Sequence, residues 1–173
     1  MKNTNIQKQL KAGDVLHCTG SSFLAKAIQI FSRSRINHSA VILSFWGVLF
    51  VMDAQARGVN PMKLSDWMKK HKYDFIISRP VAESFDLVKF SKRCMSRSGI
   101  TPYDYPSLFF FQLRYQLTGK WKGKTEVQAE KRMYCSEFVA WAYELPEWWK
   151  LSPEDVFKAM LISCDFNTVY IVS

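Results

Sequence analysis

The sequence lacks several features that would assign it to a common class of protein. It has no run of about 18 consecutive apolar residues, so no membrane-spanning helix is expected. It has no CxxC pair and no glycine-rich phosphate loop, which argues against a structural zinc site and a nucleotide site. Its N-terminus lacks the apolar core of a signal peptide. A cytoplasmic protein is therefore expected, although a leader removed beforehand would leave the same sequence.

Cysteine is scarce as well, with four residues in a chain of 173, too few and too scattered to indicate a disulfide framework. The length fits one domain spanning residues 1–173, which can bury a sufficient core by itself. Hydrophobic residues make up 48% and charged residues 23%, as in ordinary globular proteins. The aromatic content of 15% indicates a large core and also permits an apolar substrate groove.

The net charge is +9, which favours anionic partners through long-range attraction. The basic residues are nevertheless dispersed along the chain and form no continuous stripe with base-reading groups. Nucleic acid is therefore disfavoured as the main partner, and a weak attraction to anionic surfaces is retained. The oligomeric state is not indicated by the sequence.

Apolar periodicity and turn signals predict an α+β domain with an antiparallel sheet packed against helices. The predicted strands are 15–18, 38–45, 48–54, 73–78 and 168–172. Helices are predicted after a cap on Ser21 or Ser22, after a cap on Ser65 and after Ser152. Three more helices are predicted at 85–98, at 108–117 and from a start at or next to Cys135 to an end before Pro146. A loop is predicted at 58–61.

Two of these helices have strongly apolar sequences. In the first, an apolar face is predicted from the spacing of Phe23, Ala27, Ile30 and Phe31. In the second, the cluster 109–111 with Leu113 and Tyr115 is too apolar on all sides for a surface helix. The core is its first interpretation, and a hydrophobic lid or lipid-facing groove is the second.

Three residues form a candidate catalytic set. Cys135 is predicted in the first turn of a helix, where the dipole and free amides favour a thiolate. His38 follows a polar loop at the start of a strand, and Asp53 lies within the apolar strand that follows. A hairpin would bring these two side chains to neighbouring strands, where a buried carboxylate needs a partner such as imidazole. Singly, each residue also has an ordinary structural interpretation; together they favour nucleophilic catalysis.

The order of these motifs resembles the permuted papain-like hydrolases, circularly permuted relatives of NlpC-type cell-wall peptidases in the YiiX/YaeF-like amidase group. The matching segments span nearly the whole chain, and each is short. They are Gly13-Asp14-Val15-Leu16, Asn37-His38-Ser39-Ala40-Val41-Ile42, Val51-Met52-Asp53-Ala54, Pro102-Tyr103-Asp104-Tyr105 and Tyr134-Cys135-Ser136-Glu137-Phe138-Val139. Members of the group usually carry Glu where this chain has Asp53.

The resemblance implies a circularly permuted papain-like fold and cleavage of an amide bond through an acyl-enzyme on Cys135. His38 would be the general base and Asp53 would orient its ring. The Cys135 amide and Tyr134 are expected to stabilise the oxyanion, and Tyr103 and Asp104 to contact substrate. The substrate would be a peptide, a peptidoglycan stem or an acylated amino acid. No cofactor and no metal are expected.

Two other functions remain open at the level of sequence. One is lipid acyl transfer, because permuted papain-like folds include lecithin:retinol acyltransferase-type enzymes. Those enzymes carry a second His in place of Asp53 and an Asn-Cys-Glu-His motif, whereas this chain reads Tyr134-Cys135-Ser136-Glu137. The other is a non-catalytic module that binds a peptide or an anionic surface, which would not need a reactive Cys135.

The remaining candidates are assigned structural roles. Cys18 and Cys94 have no acid–base partner in their segments and are expected in the core, and Cys164 is expected in a loop or at the start of a strand. His17 is expected to be structural and His71 to be a solvated helix end. Glu137 is expected to cap its helix.

Overall fold

The architecture is a six-stranded antiparallel sheet packed against helices. The computed structural model describes residues 7–21, 23–32, 34–71, 74–107, 110, 112–120 and 122–170. The strand order is β4-β3-β2-β1-β5-β6. The strands are β1 (Val15–Thr19), β2 (His38–Phe45), β3 (Val48–Gln55), β4 (Gly58–Lys63), β5 (Asp74–Pro80) and β6 (Phe166–Tyr170).

Seven α-helices and one 3-10 helix lie within the described part of the chain. They are α1 (Phe23–Ser32), α2 (Leu64–Lys70), α3 (Leu87–Met95), α4 (Gln112–Thr118), α5 (Glu126–Ala129), α6 (Cys135–Ala142), the 3-10 helix Trp148–Lys150 and α7 (Pro153–Ile162). Among these described segments, every helix is too short or too polar to cross a bilayer. The α+β class predicted from periodicity is therefore confirmed.

The two faces of the sheet support two separate hydrophobic clusters. Alternate residues of one strand point to opposite faces, so Val41 and Leu43 join the cluster with α6 and α7, while Ala40 and Ile42 join the cluster with α2. His38 has the same parity as Ala40 and so projects toward the α2 face. Both faces are covered by apolar contacts, which fixes the register of the central strands.

The predicted hairpin of β2 and β3 is present, and its turn follows from its sequence. Val41 pairs with Met52 and Phe45 with Val48, leaving Trp46 and Gly47 as the two turn residues. Both have positive φ angles, 50° and 76°, as two-residue hairpins of type I′ require. This register fixes where β3 carries Asp53 relative to the start of β2.

The loop predicted at 58–61 is wrong, because this segment forms β4. Its signals were Gly58 and Pro61, which normally mark turns. Gly58 begins the strand with a φ of +86°, and a Cβ there would lie 2.5 Å from the Thr101 carbonyl oxygen. Pro61 pairs with Met52 on a strand at the edge of the sheet, where a missing N–H costs no ladder bond on the outer side.

Other predicted boundaries shift by a few residues. The helix predicted to begin at a cap on Ser65 begins one residue earlier, at Leu64. The helix predicted at 85–98 is the shorter α3, which begins after Asp86 because that side chain accepts hydrogen bonds from the Val88 and Lys89 amides. The described part of the helix predicted at 108–117 is Gln112–Thr118. Predicted positions 22, 73, 108, 109, 111, 171 and 172 lie outside the described residues. Helix α5 and the 3-10 helix were not predicted, because both are very short.

The predicted burial of the apolar helices is wrong at two positions. Ile30 was assigned to the buried face of α1 but is 73% exposed, and the buried face is made by Ala25 and Ile28 instead. Phe110 was assigned to the core but is 72% exposed. The side chains of residues 23, 27, 31, 109, 111 and 113 lie outside the described set.

Candidate active site

Helix α6 begins at Cys135 itself, with Tyr134 as its N-cap residue. The Glu137 carboxylate accepts a hydrogen bond from the Tyr134 amide at 3.1 Å, which confirms that Glu137 caps this helix. Amides in a first helical turn have no carbonyl partner within the helix. The thiol of Cys135 therefore lies beside backbone donors and the positive end of the helix dipole.

His38 and Asp53 are in direct contact. The distance from His38 Nε2 to Asp53 Oδ2 is 2.7 Å, and both side chains are almost entirely buried. The hairpin therefore brings these two residues together as the sequence predicts. Cys135 also forms a side-chain hydrogen bond with His38. The His38 ring therefore contacts both Asp53 and Cys135.

The charge environment favours a protonated imidazole. Burial alone lowers the pKa of His38, but the charge of Cys135 and the hydrogen bonds to Asp53 and Cys135 outweigh it and raise that pKa to about 10. Burial raises the pKa of Asp53, yet its hydrogen bonds hold it below the ordinary value. The arrangement is therefore that of a charged His38 between two acceptors.

Two further donors converge on the same carboxylate oxygen. Asp53 Oδ2 accepts from Gln55 Nε2 at 2.8 Å and from the buried Trp67 indole at 3.3 Å. Neither residue was predicted from the sequence as part of the site. Gln55 could have been found, because it lies two positions after Asp53 and a strand places such residues on one face. Trp67 could not, since its position depends on how α2 packs against the sheet.

His71 is more than the solvated helix end that its basic neighbours suggested. It does follow the last turn of α2, but it is only partly exposed and its ring centroid lies 5.3 Å from that of Trp67. Its Nε2 is 3.3 Å from Gln55 Nε2. Burial, the largest influence, lowers the pKa of His71. The contact was not predicted because His71 lies in the basic run Lys69-Lys70-His71-Lys72, and a run of charged residues normally indicates exposure to solvent.

The two predicted tyrosines flank the thiol in different ways. Tyr103 is close enough to Cys135 for the thiol's charge to add to burial in raising its pKa, and its ring packs edge-on against Tyr105 at 4.6 Å. Tyr134 is fully buried, and its hydroxyl donates to the Leu151 carbonyl at 3.3 Å while its amide donates to Glu137. A substrate contact by Tyr103 and an oxyanion contact by Tyr134 stay predictions.

Asp104 belongs to a buried cluster of charges behind the helix start. Lys124 Nζ donates to Asp104 Oδ2, to Glu137 Oε2 at 2.8 Å and to the Arg132 carbonyl at 2.9 Å. Ser107 also donates to Asp104, through its hydroxyl at 2.6 Å and its amide at 3.1 Å. Asp104 thus anchors the chain beside Tyr103, and its predicted contact with substrate stays a prediction.

The remaining cysteines and His17 are located as expected. Cys18 and Cys94 are fully buried, and Cys164 is exposed. Cys18 lies next to His38 in the register of β1 and β2, and burial raises its pKa well above the ordinary value. His17 is buried with Nε2 at 3.0 Å from Ser78 Oγ and packs against Phe157. The buried Cys18, Cys94 and His17 therefore contribute to packing.

Cys135 has no exposed surface in this structure. Ile28 of α1 packs against Tyr134 and Tyr103, so α1 contributes to the layer around the thiol. The side chain of His38 retains 12% exposure. A substrate can reach Cys135 only after a local movement of this layer.

The structure resembles a crystal structure of the metalloprotein YiiX from Escherichia coli O157:H7, which is described as DUF1105. The TM-score is 0.56 at 19% sequence identity, over 93% of this chain and 97% of that chain. No family model matches the sequence, and no curated protein matches it. At this identity the likeness establishes a YiiX-like fold, and the chemistry has to be argued from the residues of this chain.

Proposed function

We propose that this chain is a cysteine hydrolase of the permuted papain-like kind that cleaves an amide bond. The proposal is carried by one observation: the His38 ring is shared between Asp53 and Cys135, the residue at which α6 begins. A buried imidazole between a carboxylate and a thiol is the arrangement that activates a cysteine nucleophile. A peptide, a peptidoglycan stem or an acylated amino acid is the proposed substrate class.

The reaction uses one proton carrier and two acyl-transfer steps. The proton of Cys135 lies on His38, which gives a thiolate–imidazolium pair, and the thiolate attacks the amide carbonyl. The C–N bond then breaks as His38 returns the proton to the leaving amine, which leaves a thioester on Cys135. A water molecule gives its proton to His38 and attacks the thioester, releasing a carboxylic acid and the free thiol. Asp53 holds the ring orientation throughout.

The oxyanion of each tetrahedral intermediate needs donors aimed at it. The Cys135 amide in the first turn of α6 is the first proposed donor. We assign the second to the Tyr103 hydroxyl rather than to Tyr134, because both donors of Tyr134 already have protein partners. After burial, the charge of Cys135 is the next influence that raises the pKa of Tyr103, which supports the proximity of this residue to the reacting atoms.

The similar solved structure is that of a protein described as a metalloprotein, which raises the question of whether the residues of this site fit a metal ion. Among the described residues, no group of three or more His, Cys, Asp or Glu is arranged to hold a metal ion. His38 Nε2 and Asp53 Oδ2, the best candidate donors, are bonded to each other. The residues of this site therefore do not fit a metal, and no step is routed through one.

The test is the pH profile of iodoacetamide alkylation at Cys135, read by mass spectrometry in the wild type and in His38→Ala. An ordinary thiol loses about a hundredfold in rate between pH 8.5 and pH 6, because its thiolate fraction falls. We expect the Cys135 rate to change little over that range in the wild type and to fall steeply in His38→Ala. Cys164 is exposed, and its alkylation in the same molecule provides the internal reference.

A Cys135 profile that follows Cys164 in both proteins would sink the proposal and favour a binding module. So would complete resistance of Cys135 to the reagent in the native protein at every pH, after labelling in urea has shown the residue to be detectable. If the pH profile of Cys135 alkylation is flat, amides, peptidoglycan fragments and lipid esters can be compared as substrates by how strongly each one slows the alkylation of Cys135. Loss of turnover in Cys135→Ala then completes the assignment.

A further inference from the structure

Helices α1 and α4 pack against each other and carry unusual exposed side chains. Ile30 on α1 and Leu117 on α4 are each 73% exposed, and Phe110, just before α4, is comparably exposed. The buried side of α1 is occupied by Ala25 and Ile28, so Ile30 points away from the protein. Single exposed apolar residues are normal, but two on this pair of helices and a third just before α4 require an explanation.

Each helix presents a cation next to its exposed apolar residue. Lys26 and Ile30 are four positions apart on α1, and Arg114 and Leu117 are three apart on α4. These spacings place each pair on one helical face, and both cations are exposed. The pattern of an apolar residue flanked by a long basic side chain is repeated on two independent segments.

The sequence around both helices is free of acidic residues. None occurs between Asp14 and Asp53, and none between Asp104 and Glu126, although these intervals contain seven Lys and Arg residues. One carboxylate from elsewhere approaches α1, that of Glu154, and it is bonded to Ser34 and Lys158. Lys26 and Arg114 therefore lie in two segments of the sequence that contain no acidic residue.

We propose that this α1–α4 surface, defined by Lys26, Ile30, Phe110, Arg114 and Leu117, docks onto an anionic lipid bilayer. Cations at the headgroup level attract anionic lipid, and the apolar side chains between them gain by entering the acyl boundary. A nucleic acid would satisfy the cations but would leave Ile30 and Leu117 in water. The proposal goes beyond amide hydrolysis and does not depend on it.

Helix α1 connects the docking surface with the candidate active site. Ile28, on the opposite side of α1 from Ile30, packs against Tyr134 and Tyr103, which flank Cys135. The layer that encloses the thiol therefore has the proposed lipid-facing side chains on its outer surface. Contact with a bilayer would act on that layer directly.

The test is co-sedimentation of the full chain with vesicles of phosphatidylcholine alone and of equimolar phosphatidylcholine and phosphatidylglycerol. We expect binding to the anionic vesicles, weakened about fivefold for each cation removed in Lys26→Gln/Arg114→Gln. We expect binding to the anionic vesicles to weaken about tenfold for each apolar residue removed in Ile30→Gln/Leu117→Gln. The matched controls are Ile100→Gln/Ile162→Gln and Lys69→Gln/Lys89→Gln, which alter equally exposed residues elsewhere and should bind as the wild type does.

Three results would overturn the proposal. One is failure of the wild type to bind anionic vesicles, including the case in which it binds only duplex DNA through Lys26 and Arg114. Another is equal loss of binding in the test and control variants. The third is a dimer, detected by analytical ultracentrifugation without lipid, that Ile30→Gln/Leu117→Gln dissociates, because the surface would then be a contact between two copies. Circular dichroism and urea unfolding verify that each variant is folded.

Discussion

At the scale of single residues, the oxygen Asp53 Oδ2 connects the most side chains of the candidate site. It accepts from His38, Gln55 and Trp67, so the carboxylate cannot rotate without losing several bonds. A carboxylate held by several donors can in turn hold the imidazole in one orientation and one tautomer. The orientation of His38 therefore also depends on Gln55 and Trp67, which act through Asp53.

The indole of Trp67 allows this positioning to be tested. Trp67→Phe keeps an aromatic ring but removes the Nε1 donor to Asp53. We expect alkylation of Cys135 at pH 6 to slow about fivefold, since one hydrogen bond contributes about 1 kcal/mol. Trp148→Phe is the matched control, because that buried indole donates to Glu126 at 3.0 Å away from the site. Equal slowing in both variants would contradict a positioning role.

The raised pKa of His38 predicts a pH dependence of stability. The pKa is about 10 in the folded protein and about 6.5 in an unfolded chain. The charged ring therefore stabilises the fold fully below pH 6.5, and this contribution is lost as the pH rises through 10. We expect the free energy of unfolding in urea to fall between pH 7 and pH 10, and to fall less in His38→Ala.

The buried His17 provides the control for this slope. Burial lowers its pKa to about 3, so it does not titrate between pH 7 and pH 10 in the folded or the unfolded state. His17→Ala should lower stability at every pH while keeping the wild-type slope. A wild-type slope that survives in His38→Ala would mean that other groups cause it.

At the scale of elements, the start of α6 is fixed by charges from three segments of the chain. Lys124 connects Asp104, beside Tyr103, to Glu137, which caps the helix that begins at Cys135. Two carboxylates meet one ammonium group in a buried place, and burial raises the pKa of Glu137 well above its ordinary value. Removal of the single cation would leave both carboxylates unpaired.

Lys124→Met is therefore expected to destabilise the protein by about 3–5 kcal/mol at neutral pH. The deficit should shrink toward acidic pH, because protonation of Asp104 and Glu137 removes their charge. Urea unfolding at pH 5 and pH 8 measures both effects. Lys122→Met, two positions away and exposed, should change stability little. A deficit that is the same at both pH values would show that lost packing, and not charge, is responsible.

At the scale of the whole molecule, the sequence predicted the elements that have strong local signals. A helix was predicted to begin at or next to Cys135, and it begins at that residue. The hairpin that joins His38 to Asp53 was predicted from two apolar runs around Trp46-Gly47. Such features depend on neighbours in the chain, which is why periodicity and turn chemistry suffice for them.

What the sequence could not predict depends on long-range packing. Strand β4 was missed because its pairing with β3 overrides its turn residues. Trp67 lies 14 positions after Asp53, and Lys124 lies 11 positions before Cys135. Neither spacing follows from the period of a helix or a strand that would contain both residues. The exposure of Ile30 was missed because an apolar face predicts burial only where another element is available to cover it.

The complete enclosure of Cys135 has a kinetic consequence. A thiol without exposed surface reacts only during the fraction of time in which its cover is open, so this fraction multiplies the rate of every reaction at Cys135. Absolute rates then report mainly how often the site opens, whereas ratios of rates for reagents of one size report the chemistry. A mutation that loosens the cover would accelerate alkylation by all reagents of one size by the same factor, and it would do so without altering the nucleophile.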